Sequence, residues 1–271
     1  MKLSVLMSIY YKEKPKYFDR AMQSIWDEQT IKPDEIVLVQ DGKLTEELYE
    51  IIDKWKNKLD NILKVIPLEE NLGLGNALNE GIKHCSYELI ARMDADDIAL
   101  PHRFEKQLQV FENSEIDVCS SWVGEFDNDE KKILSYRKVP EYHDDIIKFA
   151  KKRTPINHPA VMYKKSVVEK VGGYNKNLRW LQDYHLWARM ILNGAKFYNI
   201  QESLVNMRTG YAQLERRRGL KYAIYEIKVL KELKDMGFLS NLEFMENTIV
   251  RFTVRILPKS LLKHIYKVLR N

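Results

Sequence analysis

The sequence predicts an α/β fold in which a mostly parallel sheet is covered by helices on both faces. In the first 100 residues, four short apolar runs alternate with segments whose apolar residues recur at helical spacing. One run, at residues 36–39, is continuously apolar, as is typical of a strand buried on both faces of a sheet. The 271 residues are 45% hydrophobic without low-complexity segments, enough for one large α/β domain with an appendage or for two small domains.

The cysteine content and the apolar runs exclude several classes of protein. Only two cysteines are present, so a disulfide scaffold and a zinc finger are excluded, and a reduced cytoplasmic setting is expected. The apolar run at residues 3–9 is too short for a signal peptide and leads into charged residues 12–14, so we expect it to be the first strand. No run approaches the roughly 18 apolar residues of a membrane span.

The first half of the chain predicts strands and helices in alternation. Strands are expected over residues 3–9, 35–40, 62–66 and 87–93. Helices are expected to begin near Pro15, Thr45 and Gly73, and each shows an apolar face. Because strand–helix–strand units bring strands together in parallel, this order predicts a wound parallel sheet. Gly73 and Gly75 do not form a dinucleotide fingerprint, since the third glycine position holds Leu78.

The pattern of the second half is more varied. We expect a hairpin between residues 118–126 and 132–139, a helix over 143–152, a strand over 157–162 and a tight turn at 172–174. A further helix is expected to open at Asp183, and a last short strand is expected over residues 196–200. Two helices follow, over residues 220–238 and 242–269, the second interrupted at Pro258.

A cluster of acids, Asp94, Asp96 and Asp97, follows directly after the strand predicted at residues 87–93. In open α/β sheets, ligands bind beyond the carboxyl ends of the strands. Hard divalent cations prefer oxygen ligands, and Mg²⁺ commonly takes one or two carboxylates together with substrate phosphates. We therefore predict a metal-assisted phosphate site. For such a short pattern, the alternative is an acidic surface turn or a helix cap.

Eight blocks of residues occur in a fixed order along the chain. They lie at residues 4–10, 29–30, 35–42, 71–79, 94–97 (Asp-Ala-Asp-Asp), 157–159 (Asn-His-Pro), 172–174 (Gly-Gly-Tyr) and 183–189. In this order they resemble the family 2 glycosyltransferases, of the branch that builds bacterial exopolysaccharide, capsule or O-antigen chains. The resemblance covers about residues 2–210 and leaves the tail out.

The resemblance implies the GT-A fold, a Rossmann-like α/β fold, with a nucleotide-diphosphate sugar as donor and inversion at the anomeric carbon. Residues 1–100 would form the nucleotide-sugar-binding half and residues 101–210 the acceptor-binding, catalytic half of the same domain. Residues 211–271 would form a basic, amphipathic helical tail. The implied enzyme moves a hexosyl or N-acetylhexosaminyl group from a UDP-sugar to a glycan or lipid-linked acceptor in bacterial surface polysaccharide synthesis.

The resemblance also implies which side chains hold the donor nucleotide: Ser8, Tyr10, Asp41, Asn71, Arg92 and Asp94. Asp41 would accept a hydrogen bond from the uracil N–H, and Tyr10 would stack on the base. The alternatives are a turn residue for Asp41 and a core aromatic for Tyr10. Arg92 would meet the diphosphate or form a salt bridge with the nearby acids. Gln40 stands where the family commonly has aspartate, so one uridine contact is absent from the pattern.

For the metal, Mn²⁺ or Mg²⁺, the resemblance implies Asp96 as the main ligand, with Asp94 in the metal shell or on the ribose. The cation would bridge the two phosphates and stabilise the leaving diphosphate. Asp97 would position the donor sugar or cap the next helix. His158 would complete the metal shell or bind a phosphate, although a lone histidine before proline is more often structural.

Asp183 is the candidate general base, because inverting transfer needs a carboxylate to take the proton of the attacking acceptor hydroxyl. The alternative is that Asp183 only caps its helix. Gln182, where the family commonly has glutamate, and Trp187 are candidate contacts to the donor sugar or the acceptor. Arg208, with the arginine run at residues 216–218, is expected to close over the diphosphate as a mobile loop, or to lie on a solvated surface.

The tail is basic. After Glu246 no acid follows, whereas there are six cations, Arg251, Arg255, Lys259, Lys263, Lys267 and Arg270. Residues 242–271 suit an anionic membrane surface, or their apolar stripe packs on the body of the protein. We thus expect a cytoplasmic protein held peripherally at the inner face of the cytoplasmic membrane, with a glycan or undecaprenyl-linked acceptor and no nucleic acid as partner.

Two other functions fit parts of the sequence. A sugar-nucleotide nucleotidyltransferase would share the fold class, but its basic, glycine-rich N-terminal loop is replaced here by residues 8–11, Ser-Ile-Tyr-Tyr. A non-catalytic nucleotide-sugar-binding subunit of an assembly complex would have no use for both the acidic turn and Asp183. The sequence therefore favours the glycosyltransferase.

Overall fold

The structure is a computed structural model that describes residues 1–209 and 219–256. Within these residues, nine strands form one sheet with helices on both faces. The first half contains β1 (Leu3–Ile9), α1 (Pro15–Ile25), β2 (Glu35–Gln40), α2 (Glu46–Leu59), β3 (Leu63–Pro67), α3 (Leu74–His84) and β4 (Leu89–Asp94). The predicted alternation is therefore confirmed, with boundaries shifted by one or two residues.

The second half has shorter elements. They are β5 (Ile98–Ala99), α4 (Arg103–Asn113), β6 (Val118–Phe126), β7 (Ser135–Arg137), α5 (His143–Ala150), β8 (Met162–Lys164), α6 (Lys165–Lys170), α7 (Gln182–Leu192), β9 (Phe197–Arg208), α8 (Leu220–Asp235) and α9 (Asn241–Ile256). No helix in the described part of the chain is both long and apolar enough to cross a membrane.

The strand order places several strand ends at one edge of the sheet. The order is β3-β2-β1-β4-β8-β6-β9-β5, with β7 paired to β6. Strands β1 to β4 run parallel, whereas β8 lies antiparallel between β4 and β6. The register pairs Ser8 of β1 with both Val39 of β2 and Asp94 of β4. The carboxyl ends of these three strands therefore meet where ligands bind in folds of this kind.

The core lies on both faces of the sheet, as the apolar strands predict. On one face, Phe18, Trp55 and Phe104 from α1, α2 and α4 pack against the strands. On the other face, Leu78 of α3 and Trp187 of α7 do so. All of these side chains are fully covered or nearly so. Their burial supplies the main driving force for folding, at about 25 cal/mol per Å² of apolar surface.

Helix α3 lies close to the sheet because Gly81 has no side chain. A Cβ atom at this position would lie 2.3 Å from Leu6 Cδ1 and 2.8 Å from Val39 Cγ2. Both atoms belong to fully buried side chains of β1 and β2. The glycine therefore sets the distance between this helix and the parallel strands.

Three elements differ from the prediction. The strand expected over residues 157–162 is a 3₁₀ turn, His158–Ala160, followed by β8, because Pro159 lacks the N–H that a strand ladder needs. The strand expected to end at residue 200 continues to Arg208, and its pairing with β6 shifts register on both sides of Trp122. The hairpin forms, but its second arm, β7, has only three residues.

Helices α8 and α9 are joined through the buried carboxylate of Glu226. It accepts hydrogen bonds from Arg251 Nη1 and from Arg255 Nε, both at 2.8 Å. Two of the cations expected to face a membrane are therefore bound within the protein. The remainder of the predicted tail helix, from residue 257 onward and including Pro258, lies outside the described residues.

Candidate active site

The acidic turn lies at the carboxyl end of β4, as predicted. Asp94 ends the strand, and Arg92, two residues earlier on it, binds the Asp94 carboxylate through both terminal nitrogens, with Nη1 at 2.5 Å from Oδ2. The Arg92 side chain is buried, whereas Asp94 is partly exposed. The salt bridge considered from the sequence is thus formed, and it holds Asp94 toward the sheet edge.

The carboxyl groups of Asp96 and Asp97 lie in an environment that disfavours their charged form. Burial, and next the charge of Asp94, raise the pKa of Asp96 to about 7. Burial, followed by the charges of Asp96 and Asp94, raises the pKa of Asp97 well above its usual range. Asp97 Oδ1 accepts the N–H of Arg208 at 2.7 Å, but its buried Oδ2 has no hydrogen-bond partner among the described residues. Buried oxygens without partners are rare and costly.

The donor set of this turn fits a hard divalent cation. It offers carboxylate oxygens, one of them a buried atom without a partner among the described residues. Burial and, after it, mutual repulsion raise the pKa values of these carboxyl groups, and a cation would relieve the repulsion. In the described part of the chain, no group of three or more histidine, cysteine or acidic side chains is already arranged to hold a metal.

Glu13 is a member of this acidic group that the sequence reasoning missed. It lies in the loop between β1 and α1, and its N–H donates to Tyr10 O at 3.0 Å. Burial raises its pKa, the charge of Asp94 raises it further, and the charge of Arg208 opposes the shift. Its position just after the carboxyl end of a parallel strand was the available signal. Lysines on both sides made it look like a solvated charge.

Arg208 is an ordered residue at the end of β9. Its guanidinium carbon lies 3.7 Å from the centre of the Tyr17 ring and 4.5 Å from that of Phe126. Its Nε donates to Asp96 O at 3.2 Å and its Nη1 to Asp127 O at 3.0 Å. Arg208 therefore lies in a strand and against two aromatic rings in this conformation, and its closure over the diphosphate stays a prediction. The arginine run at 216–218 lies outside the described residues.

Asp41 shapes the loop before α3. Its Oδ1 accepts the N–H of Leu72 at 2.7 Å and its Oδ2 accepts the N–H of Gly73 at 3.0 Å, while Asn71 Nδ2 donates to the Asp41 carbonyl at 3.0 Å. Burial raises the pKa of Asp41, although both N–H groups act to lower it. A uracil N–H would have to share one of these carboxylate oxygens, so the predicted base contact remains a proposal.

Ser8 and Tyr10 lie at the same edge. Ser8 is partly exposed at the end of β1, and Tyr10 follows the strand with 37% of its surface exposed. The Tyr10 ring meets the Tyr11 ring edge-on, with centroids 5.8 Å apart. The alternative that Tyr10 is a core aromatic is therefore wrong, and its ring has a free surface at the edge where ligands bind.

His158 is buried behind the acidic turn. Its Nε2 is 2.8 Å from the hydroxyl of Tyr174, and its ring lies 6.0 Å from that of Trp187. Burial, together with the charge of Arg92, lowers the pKa of His158 well below its ordinary value, so it is neutral. The nitrogen predicted to bind a metal or phosphate is thus paired within the protein. In this conformation, His158 is therefore a structural residue.

Asp183 is the second residue of α7 and is partly exposed. The N-cap position belongs to Leu181, so the alternative that Asp183 only caps the helix is wrong. Burial raises the pKa of Tyr174 in the nearby core, the charge of Arg92 opposes this shift, and the charges of Asp183 and Asp94 raise the pKa further.

The two remaining residues predicted to contact the donor sugar or the acceptor, Gln182 and Trp187, are both buried. Gln182 is buried beside α3, where a Cβ atom on Gly75 would lie 3.6 Å from Gln182 Cγ. Trp187 has no exposed surface and packs on His158 and Tyr163. Because a fully covered ring offers no surface to a sugar, Trp187 is a core residue here, and the predicted sugar contact is not available in this conformation.

Comparison with solved structures identifies the fold. The chain superimposes on the Staphylococcus aureus protein TarS 1–349 in complex with UDP-GlcNAc with a TM-score of 0.66, 19% identity, and coverage of 86% of this chain and 66% of that one. It superimposes on the mannosyltransferase PcManGT from Pyrobaculum calidifontis in complex with GDP-Man and Mn²⁺ with a TM-score of 0.63 and 15% identity, covering 85% and 63%. The predicted GT-A fold, with its added C-terminal helices, is thus confirmed.

The sequence itself matches the family model for glycosyl transferase family 2 over residues 4–172. The chain belongs to this family and is a glycosyltransferase, so the predicted enzyme class is confirmed. The nucleotidyltransferase and the non-catalytic subunit are no longer needed as alternatives.

Two relatives are similar over nearly their whole length. An Escherichia coli UDP-Gal:alpha-D-GlcNAc-diphosphoundecaprenol beta-1,3-galactosyltransferase is 42% identical over 267 residues, 98% of this chain and 95% of the relative. The amylovoran biosynthesis glycosyltransferase AmsE of Erwinia amylovora is 37% identical over 268 residues, 97% of each chain. Both alignments include the C-terminal region that the family model does not cover.

Proposed function

We propose that this enzyme transfers a sugar, with inversion, from a UDP-sugar to a lipid-linked or glycan acceptor during synthesis of a bacterial surface polysaccharide. The observation that carries the proposal is the acidic turn at the edge where the parallel strands end, with one buried Asp97 oxygen that has no partner among the described residues. The relative that is 42% identical uses UDP-Gal and an undecaprenol-linked acceptor, which supports this substrate class.

Asp96, with Asp94 and Asp97, would hold the divalent cation, Mn²⁺ or Mg²⁺. When bound, the cation supplies charge stabilisation to the leaving diphosphate. Arg92 keeps Asp94 at the strand end, and the Arg208 N–H keeps Asp97 in place. Ser8, Tyr10, Asp41 and Asn71 would line the nucleoside part of the site. Residues 1–100 would then serve the donor and residues 101–210 the acceptor.

Asp183 would take the proton of the acceptor hydroxyl as that oxygen attacks the anomeric carbon. Its partial exposure leaves it open to an acceptor. Gln182 precedes it with a neutral amide, so a single carboxylate acts at this position. Proton removal by Asp183 therefore does not compete with a neighbouring acid.

For the acceptor side we propose attachment to the inner face of the cytoplasmic membrane. Helix α9 exposes several large apolar side chains, Leu242, Met245, Ile249, Val250 and Ile256. The sequence then continues with four cations and no acids after residue 256. An apolar face beside a basic segment suits an anionic lipid surface, which would hold a lipid-linked acceptor near Asp183.

The test of this function is thermal unfolding with UDP-, GDP- and dTDP-sugars, each with and without Mn²⁺, followed by a turnover assay. We expect a UDP-sugar to raise the melting temperature, and to do so more strongly with Mn²⁺. In Asp96→Asn, Mn²⁺ should no longer increase the rise in melting temperature that the UDP-sugar causes. Asp183→Asn should still bind the donor, but its turnover should fall by about 10³-fold. Full turnover by Asp183→Asn would contradict the assigned base, and metal-independent stabilisation would leave the acidic turn with a structural role.

A further inference from the structure

The segment that leads into α7 is held by helix α8. The N–H of Trp180 donates to the Tyr225 hydroxyl at 3.2 Å, and that hydroxyl donates to the carbonyl of Trp180, also at 3.2 Å. The Trp180 ring meets the Tyr225 ring edge-on at 5.0 Å and lies 5.3 Å from the Tyr222 ring. One side chain of α8 thus binds both backbone groups of Trp180.

The residue after Trp180 is conformationally unusual. Leu181 has φ of +59°, a left-handed conformation that residues with a side chain rarely adopt. It turns the chain directly into the first residues of α7, Gln182 and Asp183. Without fixed neighbours, such a residue relaxes to an ordinary conformation, and the start of α7 would turn with it. The Tyr225 hydroxyl fixes the neighbour on the N-terminal side.

A second contact from α8 lies on the other side of Asp183. His185 Nδ1 accepts the Nε–H of Arg189 at 3.1 Å, so in the neutral ring the proton is on Nε2. Glu232, two helical turns after Tyr225, has its Oε2 3.6 Å from that Nε2. Helix α8 therefore contacts the chain three residues before Asp183, at Trp180, and two residues after it, at His185.

We propose that Tyr225 is a positioning residue for the general base, and that α8 is thereby a working part of the active site. The proposal rests on the role of Asp183 proposed above. The Tyr225 hydroxyl holds Trp180, which keeps Leu181 in its left-handed turn, and that turn sets the direction of the Asp183 carboxylate. Tyr225 itself does not contact the reacting atoms. Its contribution is to the orientation of a carboxylate, for which small displacements reduce rates strongly.

The matched variants are Tyr225→Phe and Tyr198→Phe. Each loses one tyrosine hydroxyl. That of Tyr198 donates to Glu141 Oε1 at 2.8 Å, and the Tyr198 ring packs on the core cluster of α1, α2 and α4, not on that of α7. Hydrogen exchange measured by mass spectrometry on a peptide covering residues 178–183 reports the Trp180 N–H directly. Turnover is measured with UDP-Gal and a short-chain GlcNAc-diphospholipid, and donor affinity by calorimetry with UDP.

We expect Tyr225→Phe to exchange faster in this peptide, to lose about tenfold in kcat, and to keep its Kd for UDP and its KM for UDP-Gal within about twofold. Tyr198→Phe should change neither the exchange in this peptide nor kcat. A lower kcat together with an equally weakened Kd for UDP would indicate a general structural effect and overturn the proposal. Faster exchange with unchanged kcat would overturn it as well, as would unchanged exchange.

The variant Asp183→Asn separates this proposal from the proposed function. If Asp183→Asn is fully active, the base has been assigned wrongly, whatever Tyr225 does. If Asp183→Asn is inactive and Tyr225→Phe is as active as the wild type, the base assignment stands and the positioning role fails. In the double variant, the tenfold effect of Tyr225→Phe should disappear, because there is no base left to orient.

Discussion

At the scale of single residues, the acidic turn brings together buried carboxyl groups whose negative charges repel one another. Burial and neighbouring carboxylates raise the pKa of Asp96, Asp97 and Glu13, so each prefers to keep its proton in the folded protein. Groups with this behaviour concentrate at functional sites, where a ligand of opposite charge relieves the repulsion. The protein is thus expected to gain stability when a divalent cation binds.

The pKa of Asp96 predicts how stability depends on pH. Folding raises it from 3.8 to about 7, so the folded state keeps a proton that the unfolded state has already released. Below about pH 4 the carboxyl of Asp96 is protonated in both states and does not affect the free energy of unfolding. Between about pH 4 and pH 7 it destabilises the folded state increasingly, and above about pH 7 this destabilisation is constant. We expect the melting temperature of the wild type, without divalent cations, to fall more steeply over this range than that of Asp96→Asn.

Scanning calorimetry between pH 5 and 8 measures this difference. Asp145→Asn, an exposed aspartate on α5, is the control and should follow the wild type. Parallel curves for the wild type and Asp96→Asn would show that Asp96 has an ordinary pKa. At saturating Mn²⁺, the melting temperature of the wild type should depend less on pH, because the cation takes the place of the proton on the Asp96 carboxyl.

The position of the acidic turn could be predicted because its residues stand close together in the sequence. Asp94, Asp96 and Asp97 lie within one short stretch after an apolar run, and the structure places this stretch at a strand end. The surroundings of Glu13 and Tyr225 are formed only by the fold, and neither residue has a local signal strong enough to distinguish it from a surface residue. Trp187 shares its helix face with apolar residues, and that periodicity indicated the burial that the structure shows.

At the scale of elements, α3 provides a matched pair of glycines. Gly81→Ala would place a methyl group 2.3 Å from Leu6 Cδ1, whereas in Gly75→Ala the nearest atom, Tyr174 Cβ, is 3.5 Å away. We expect Gly81→Ala to lower the free energy of unfolding by about 2 kcal/mol, as overpacked cores do. Gly75→Ala should be neutral or slightly stabilising, because alanine favours helix. Urea unfolding compares them, and equal effects would contradict the close approach of α3.

The pairing of α8 with α9 depends on one buried acid. Glu226→Gln removes the buried carboxylate that Arg251 and Arg255 both bind and should destabilise the protein by about 3 kcal/mol. The two arginines lower the pKa of Glu226 against the effect of burial, so its contribution is present above pH 4.5 and lost as the pH falls through the folded pKa. The exposed change Asp235→Asn is the control in the same urea titration; a loss below 1 kcal/mol would contradict this role.

The elements were predictable to the extent that their hydrophobic periodicity is local. Strands β1 to β4 and helices α1 to α3 follow from it almost to the residue. Strand β9 was underestimated because the polar residues Gln201 and Glu202 interrupt its apolar pattern, whereas pairing with β6 and β5 continues the strand beyond them. The turn at His158–Ala160 was misread because apolar residues around Pro159 imitate a strand.

At the scale of the whole molecule, the exposed apolar side chains of α9 predict binding to a lipid surface. Ile249 is 61% exposed on α9, and Leu134, next to β7, is 57% exposed on another part of the protein. We expect Ile249→Glu to weaken co-sedimentation with phosphatidylglycerol vesicles about tenfold, since burying an isoleucine contributes about 2 kcal/mol. Leu134→Glu is the control and should bind as the wild type does. Equal loss in both variants would contradict a membrane face on α9.

The overall architecture was largely predictable, because the order of strands, helices and short motifs determines both the sheet and the position of the acidic turn. The contact between α8 and the start of α7 was not, since it joins Tyr225 to Trp180, 45 positions apart in the sequence. Helical periodicity shows that α8 has an apolar face but not which part of the fold that face covers.

The antiparallel insertion of β8 has a consequence for fragments of this enzyme. In the intact chain, the outer side of β4 is covered because Arg92 donates its N–H to Val161 and Ala91 pairs with Met162. A polypeptide ending at residue 100 would leave this apolar strand as an open edge, ready to pair with strands of other molecules. Residues 1–100 expressed alone should therefore aggregate, and co-expression with residues 101–271 should keep them soluble.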